Sequence, residues 1–379
     1  MAKAEPQGSG QPPESWRRRW IAWRNRTIGR PGFQKAMAAL PGIGGMARRR
    51  AASLFNLIAG FAYSQATLAL EESGLLDALA EQPLDKKAAA KVCSLEPEAA
   101  DRLLRAAGAI GLTEQYAPGW WMLGEQGAAL VGNAGARAML RHHRILYRDL
   151  TDPLDLFRKN RREPTNLSKF WTYAGAKGEA TDTAAYSELM AASQHLVAEQ
   201  AVGAYDFSRH RRLLDLGGGQ GAFLRAVGQA NPELELGLFD LPDVVERAKA
   251  QFEEAGMAQR TRFHPGSFFD DEIPSGYDLV SLTRILHDHD DAPVLDLLQR
   301  VRESMAKGST LLIIEPLADT PGAKAMGDAY FGLYLWAMGS GRPRSAREYR
   351  EMLRDAGFAR HRLIRPPQPI ATSLIVAVA

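Results

Sequence analysis

The stretch Asp215-Leu-Gly-Gly-Gly-Gln-Gly221 constrains this chain of 379 residues more than any other. It follows the apolar run Arg212–Leu216 and precedes an amphipathic run, Ala222–Ala230, which is the order strand, tight glycine turn, helix. Glycine serves where the backbone takes φ > 0 or where a ligand must come close to the main chain. The helix start that follows offers unpaired N–H groups and a partial positive charge. A nucleotide-like ligand is expected there, and two kinds fit. Gly217, Gly219 and Ala222 match the dinucleotide fingerprint G-x-G-x-x-G/A, an NAD signature. Asp215 sits two residues before the first glycine, where a dinucleotide fold needs only an apolar strand residue. A carboxylate there suits a ligand with a cationic amino-acid end, such as S-adenosylmethionine (SAM). Asp240, 19 residues after Gly221, is placed to accept both ribose hydroxyls of either ligand.

Downstream the pattern is α/β. Strand-like runs recur at Glu235–Phe239, Arg262–His264, Asp278–Leu282 and Leu311–Ile314, with helical patterns at Pro242–Glu254 and Ala292–Met305. A helical pattern at Ser345–Phe358 and strand-like runs at Arg360–Arg365 and Ser373–Val378 close the chain. Strands alternating with helices predict a doubly wound, mainly parallel sheet. Ligands bind such sheets outside the carboxyl ends of the strands. Asp215, Asp240, His287 and Glu315 all fall at or just after strand ends and are expected to line one crevice.

The strings Leu213-Leu-Asp-Leu-Gly-Gly-Gly-Gln-Gly221, Phe239-Asp-Leu-Pro242, Leu286-His-Asp-His-Asp-Asp291 and Glu315-Pro316, in that order and spacing, resemble the SAM-dependent small-molecule O-methyltransferases of the caffeate and acetylserotonin type. The resemblance covers roughly residues 50–379. Ala51–Gln65, Phe170–Tyr173 and Gly339–Ser345 are most similar to its carotenoid 1-hydroxy O-methyltransferase branch in photosynthetic purple bacteria. The resemblance implies a seven-stranded methyltransferase sheet and SAM as methyl donor. It implies a homodimer and a carotenoid acceptor within carotenoid biosynthesis. It also implies that Gly217, Gly219 and Gly221 wrap the methionine part of SAM and that Asp240 holds the ribose. Leu241, Ser267, Phe268 and Arg284 join Asp215 in the cofactor set; Ser267 departs from the acid usual at its position. His287 matches the family's general base, and Glu315 one of two acids that flank it. The second acid's position falls at Pro343, which cannot orient an imidazole, so the two-acid clamp is expected to be incomplete.

The chemistry agrees. Methyl transfer from a sulfonium is an in-line displacement, and alignment alone supplies ~7–11 kcal/mol. Histidine, with a reference pKa of about 6.5, suits a base that takes the acceptor's proton at neutral pH. Asp288, Asp290 and Glu315 are each near enough in sequence or strand order to fix the tautomer of His287, and spacing does not choose among them. The run His287-Asp-His-Asp-Asp291 does not predict a metal site, because two histidines two apart match no closed ligand spacing and Cys93 is the single cysteine. Asp290 or Asp291 is expected to cap the helix that begins at Ala292-Pro293.

The front of the chain differs. Asp85–Val92 and Pro97–Gly108 read as two short helices, followed by a β-ribbon at Thr113–Tyr116 and Trp120–Leu123. Helix-turn-helix plus wing is a DNA-binding architecture. However, Glu96, Glu98 and Asp101 deny the second helix a basic face, so nucleic acid is not the expected partner. Ala51–Leu70 has no charge and the length of a bilayer span, but Ser53, Asn56, Tyr63, Ser64, Gln65 and Thr67 favour a helix buried in a dimer. Overall charge is +3, yet residues 1–50 carry eleven Lys/Arg and two Glu, a net +9, which leaves −6 for the remainder. Trp16, Trp20 and Trp23 interleave with these arginines, a pattern that suits an anionic membrane surface. The absence of a secretory signal and the single cysteine fit a cytoplasmic protein, with the basic extension as a peripheral contact on the inner membrane face.

The expected organisation is therefore a basic, partly disordered extension (1–50), a winged-helix-like dimerisation domain (51–135), a helical linker and acceptor wall (136–200) and a SAM domain (201–379). Two aromatic groups are candidates for the acceptor wall. One is Tyr147, Phe157, Phe170, Trp171, Tyr173, Tyr186 and Met190; the other is Tyr330, Phe331, Tyr334, Trp336 and Met338. The rival functions are a methyltransferase for a chlorophyll precursor, quinone, polyketide or phenol, a SAM-sensing winged-helix regulator, and an NAD oxidoreductase.

Overall fold

A computed structural model describes residues 15–40, 44–158, 163–175, 194–367 and 372–379, without the side chains of 171–175. Tyr186 and Met190 lie outside the described residues, as do the side chains of Trp171 and Tyr173. The chain forms two compact units, Met1–Gln126 and Gly127–Ala379.

The first unit begins with helices α1 (Trp16–Ile28), α2 (Pro31–Ala39) and α3 (Gly44–Glu72). The uncharged run Ala51–Leu70 lies inside α3, and no described helix is long and apolar enough to cross a membrane. Next come α4 (Leu75–Glu81), β1 (Leu84–Asp85), α5 (Lys86–Cys93) and α6 (Pro97–Ala109). Asp85 caps α5 by accepting from Ala88 N–H at 2.8 Å, and Ser94 ends it in the left-handed region at φ 53°. Strands β2 (Thr113–Ala117) and β3 (Trp120–Leu123) form the expected ribbon, and β1 completes an antiparallel sheet in the order β1-β3-β2.

In the second unit, α7 (Glu125–Val131), which starts at the boundary, α8 (Ala134–Asp149), α9 (Pro153–Phe157) and α10 (Asn166–Gly175) precede α11, whose described part is 194–204. The sheet and its helices then alternate: β4 (Arg212–Leu216), α12 (Ala222–Ala230), β5 (Glu235–Asp240), α13 (Pro242–Glu254), β6 (Thr261–Pro265), β7 (Leu279–Thr283), α14 (Asp291–Ser304) and β8 (Thr310–Glu315). A π-helical segment, Ala325–Phe331, runs into α15 (Gly332–Met338); α16 (Ala346–Asp355), β9 (Arg360–Ile364) and β10 (Ser373–Val378) follow. Strand order is β6-β5-β4-β7-β8-β10-β9, parallel throughout except for β10, which is antiparallel to both neighbours. The sheet is thus doubly wound and mainly parallel, as the sequence pattern predicts, and seven-stranded, as the resemblance implies.

Alternation of side chains along each strand splits the core in two. Leu214, Leu216, Val280, Leu282, Leu311 and Ile313 pack against Val294, Leu297, Leu298 and Val301 of α14 and Tyr349 and Leu353 of α16. On the other face, Leu213, Leu236, Leu238, Leu312 and Ile314 meet Val197 and Ala201 of α11, Phe223 and Leu224 of α12, and Phe252 of α13. Both faces are covered, which is why these strands are continuous apolar runs. The parallel register brings Leu216 level with Phe239, and Thr283 level with Ile314, so one rim gathers every parallel strand's carboxyl end. Leu312, fully buried at the sheet centre, tests this packing: Leu312→Ala is expected to cost about 2–5 kcal/mol, measured as a lower midpoint at unchanged slope in urea unfolding.

Candidate active site

A cavity of about 610 Å³ opens at that rim, and its walls include Gly217, Gly218, Gly219, Asp240, Ser267, Phe268, Arg284, His287 and Asp288. The glycine turn builds one side. Gly217, Gly219 and Gly221 all have positive φ, at 69°, 58° and 78°. A Cβ on Gly217 would collide with Ile285, on Gly218 with Leu238 and Asp215, and on Gly221 with Phe252, whereas one on Gly219 would meet open space. The turn therefore lies pressed against the sheet and α13, with bare backbone facing the cavity. Asp240 locks it from the next strand: Oδ2 accepts from Gly219 N–H at 2.8 Å and Oδ1 from Leu241 N–H at 2.7 Å. Burial raises the Asp240 pKa, and these two N–H groups oppose the rise.

Asp215 does not line the cavity. It lies fully buried behind the turn; Oδ1 accepts from Ser281 Oγ at 2.6 Å, and Oδ2 has no hydrogen-bond partner. Burial, reinforced by Asp240 and opposed by the Ser281 hydroxyl, pushes its pKa up to about 7. The carboxylate that the sequence position suggested for a ligand's cationic end is thus placed beneath the main chain, because Gly218 lets the turn fold over it. Ser267 lies on the wall with its hydroxyl donated to Asp270 at 2.8 Å, and Phe268 stands beside it, 4.8 Å from Phe269. Leu241 and Arg284 line the cavity too; Arg284 holds a left-handed φ of 56°, an uncommon conformation for a side-chain-bearing residue.

His287, buried in the short 3₁₀ turn Leu286–Asp288, is held between two acids. Nδ1 hydrogen-bonds Glu315 Oε2, and Nε2 lies 3.1 Å from Asp288 Oδ1. Glu315 Oε1 also accepts from Leu286 N–H at 2.8 Å, so one buried carboxylate fixes both ring and turn. Burial opposes protonation of His287, but Glu315 and then Asp288 outweigh it, and the pKa rises. The acid missing at Pro343 is made up from within the turn, by Asp288. What the 339–345 segment contributes is cationic: buried Arg344 donates to the Leu286 carbonyl through Nη1 and to the His289 carbonyl through Nη2, each at 2.7 Å, and to Asp291. Nothing in the sequence marked Arg344 as buried. Asp290 occupies the N-cap position of α14, but its carboxylate accepts from Gly341 N–H at 3.0 Å instead of capping the helix.

The far wall is aromatic. Tyr330, Phe331, Tyr334 and Met338 line it, whereas Trp336, Tyr147, Phe157 and Phe170 do not. Behind it, His143 Nε2 and Tyr330 Oη are 2.6 Å apart, and His142 Nε2 and Tyr334 Oη 2.7 Å. Burial lowers the pKa of both histidines, that of His142 to about 4, so this wall is polar but uncharged at neutral pH. Among the described residues, no group of three or more His, Cys, Asp or Glu could hold a metal ion.

The chain is similar to known proteins. A family profile described as an O-methyltransferase domain matches residues 147–359. Demethylspheroidene O-methyltransferase of Cereibacter sphaeroides is 42% identical over 93% of this chain and 93% of its own length. The enzyme of the same name from Rhodobacter capsulatus is 39% identical over 89% of this chain and 84% of its own. Human N-acetylserotonin methyltransferase, solved in complex with SAM, matches with a TM-score of 0.70 at 25% identity, covering 87% of this chain and 97% of that one.

Because its pKa is raised on folding, His287 stabilises the fold fully below its unfolded value of about 6.5, and that contribution is lost as pH rises through the raised folded value. Glu315→Gln should bring the His287 pKa down in an NMR titration and reduce this slope in the stability-versus-pH curve.

Proposed function

This chain belongs to the SAM-dependent O-methyltransferase family, and we propose that its acceptor is the tertiary 1-hydroxyl of an acyclic carotenoid, methylated during carotenoid biosynthesis. The observation that carries this reading is the 42% identity, spread over 93% of both chains, to a demethylspheroidene O-methyltransferase. The aromatic cavity wall, with its few uncharged polar groups, supports it. Such an acceptor partitions into bilayers, so the reading puts the enzyme's work at a membrane surface.

The residues present suit SAM. The bare backbone of Gly217–Gly219 admits the methionine part closely, and Asp240 keeps lone pairs for the ribose while its N–H partners hold it in place. Leu241, Ser267, Phe268 and Arg284 line the same cavity, where they would border the rest of the cofactor. Bound there, SAM supplies an electrophilic methyl group on a sulfonium. His287 is the base. A tertiary alcohol is far less acidic than a phenol, whose pKa is about 10, so His287 takes the proton as the C–O bond forms. Glu315 holds Nδ1, which leaves Nε2 for the acceptor, and the acceptor hydroxyl displaces Asp288 from it. Losing that carboxylate lowers the imidazole pKa at the moment a base is needed. We also assign homodimerisation to the uncharged face of α3, where Leu54, Phe55, Leu57, Ile58 and Phe61 are exposed; light scattering should give twice the 41.5 kDa chain mass.

Incubation with methyl-labelled SAM should label a 1-hydroxycarotenoid. Label in a chlorophyll precursor, quinone, polyketide or phenol, with none in the hydroxycarotenoid, would replace the acceptor. His287→Ala should lower kcat by roughly 10²–10⁴-fold and leave SAM binding by calorimetry intact; a variant with undiminished turnover would remove His287 from the chemistry. Since the His287 pKa is raised, kcat/KM should climb with pH along a limb centred above about 6.5, and Asp288→Asn should move that limb to lower pH.

A further inference from the structure

Helix α1 is the most unusual surface outside the cavity. Trp16, Trp20 and Trp23 recur at i, i+4 and i+7, so they form one stripe, and they are 79%, 51% and 54% exposed. Trp20 and Trp23 stack at 5.0 Å, so the stripe is a continuous aromatic surface. The same helical spacing puts Arg17 and Arg24 along one edge of the stripe and Arg19 and Arg26 along the other. No residue of α1 is buried, so the tryptophans contribute to no core. Residues 16–50 contain ten Lys/Arg and no Asp or Glu.

We propose that this face of α1 docks on an anionic lipid bilayer. Tryptophan prefers the boundary between hydrocarbon and headgroup, where its ring is buried and its N–H stays wet. Arginines along both edges meet lipid phosphates while their stems cover apolar surface. A helix with this division lies in the interface plane and does not span it, in keeping with the absence of a membrane-crossing helix among the described residues. Charge argues against a second copy as the occupant, because the five arginines of α1 would face five more. The uncharged α3 face is free of that repulsion, so the two apolar surfaces take different partners. A nucleic acid would use the arginines but leave three neighbouring tryptophans of a helical stripe in water. The inference draws its purpose from the bilayer-dwelling acceptor proposed above, but docking itself does not depend on that acceptor.

The test is cosedimentation of the full-length protein with phosphatidylcholine vesicles, with and without phosphatidylglycerol, read alongside tryptophan emission. Binding should require phosphatidylglycerol, weaken with salt and shift the emission to the blue. The quadruple variant R17Q/R19Q/R24Q/R26Q should bind at least about 100-fold more weakly, and W16A/W20A/W23A should lose the blue shift. Both variants should keep wild-type circular dichroism and SAM affinity, which separates docking from folding and from the cofactor site. Equal binding to both vesicle types, variants that bind like the wild type, or duplex DNA that binds more tightly than the vesicles and displaces them would each overturn the proposal. Intact vesicle binding in a protein that does not methylate a hydroxycarotenoid would leave the docking in place and remove only the acceptor.

Discussion

The site depends on one buried carboxylate. A charge removed from water is tolerated only when its lone pairs are filled and an opposite charge is near. Glu315, at the end of the β8 run, meets that condition by accepting from Leu286 N–H and from the His287 ring. Filling those lone pairs is what forces the segment between β7 and α14 into a tight 3₁₀ turn and sets the imidazole in one orientation. Arg344 does the complementary work, donating to the carbonyls of Leu286 and His289. A strand-end acid and a loop cation thus hold the same few backbone groups from opposite sides, so His287 is positioned by charge as much as by packing.

The glycine turn obeys a related constraint. Gly217, Gly218 and Gly221 lack side chains because Ile285, Leu238, Asp215 and Phe252 already fill the space, and only Gly219 faces open volume. Its conformation is thus imposed by the sheet and α13 before any ligand arrives. Ile285 stands against Gly217 and immediately precedes the turn that carries His287. The backbone that would receive the methyl donor and the imidazole that would receive the proton are therefore coupled through one side chain, which suits a reaction whose rate rests on alignment.

Much of this was legible in the chain itself. Local periodicity set the strand and helix limits closely: Pro242–Glu254 and Ser373–Val378 fall where the pattern puts them, and Asp278–Leu282 is displaced by a single residue. Asp240, His287 and Glu315 could be placed at or just after strand ends from the sequence because the end of each apolar run marks the carboxyl end of a parallel strand. Less is legible where a side chain's role depends on what covers it. Asp215 read as a ligand group and lies behind the turn; Asp290 holds the N-cap position expected of it or Asp291, but its carboxylate bonds Gly341. Trp336 belonged to a promising aromatic stripe, yet its indole N–H goes to the Leu156 carbonyl, away from the cavity.

By itself, then, the sequence determined the alternating α/β architecture, the glycine turn and the strand-end acids, because these follow from local periodicity and from the backbone freedom of glycine. It also determined the charge separation between the first fifty residues and the rest. Tertiary structure alone decided which acid serves His287 on each nitrogen, that a buried arginine at 344 pins the turn carrying it, and which aromatic side chains face the cavity. The contacts of Glu315 with His287 and of Arg344 with Leu286 join residues 28 and 58 positions apart. No local pattern encodes them, because burial and hydrogen-bond satisfaction are settled only when the whole sheet and its loops close together.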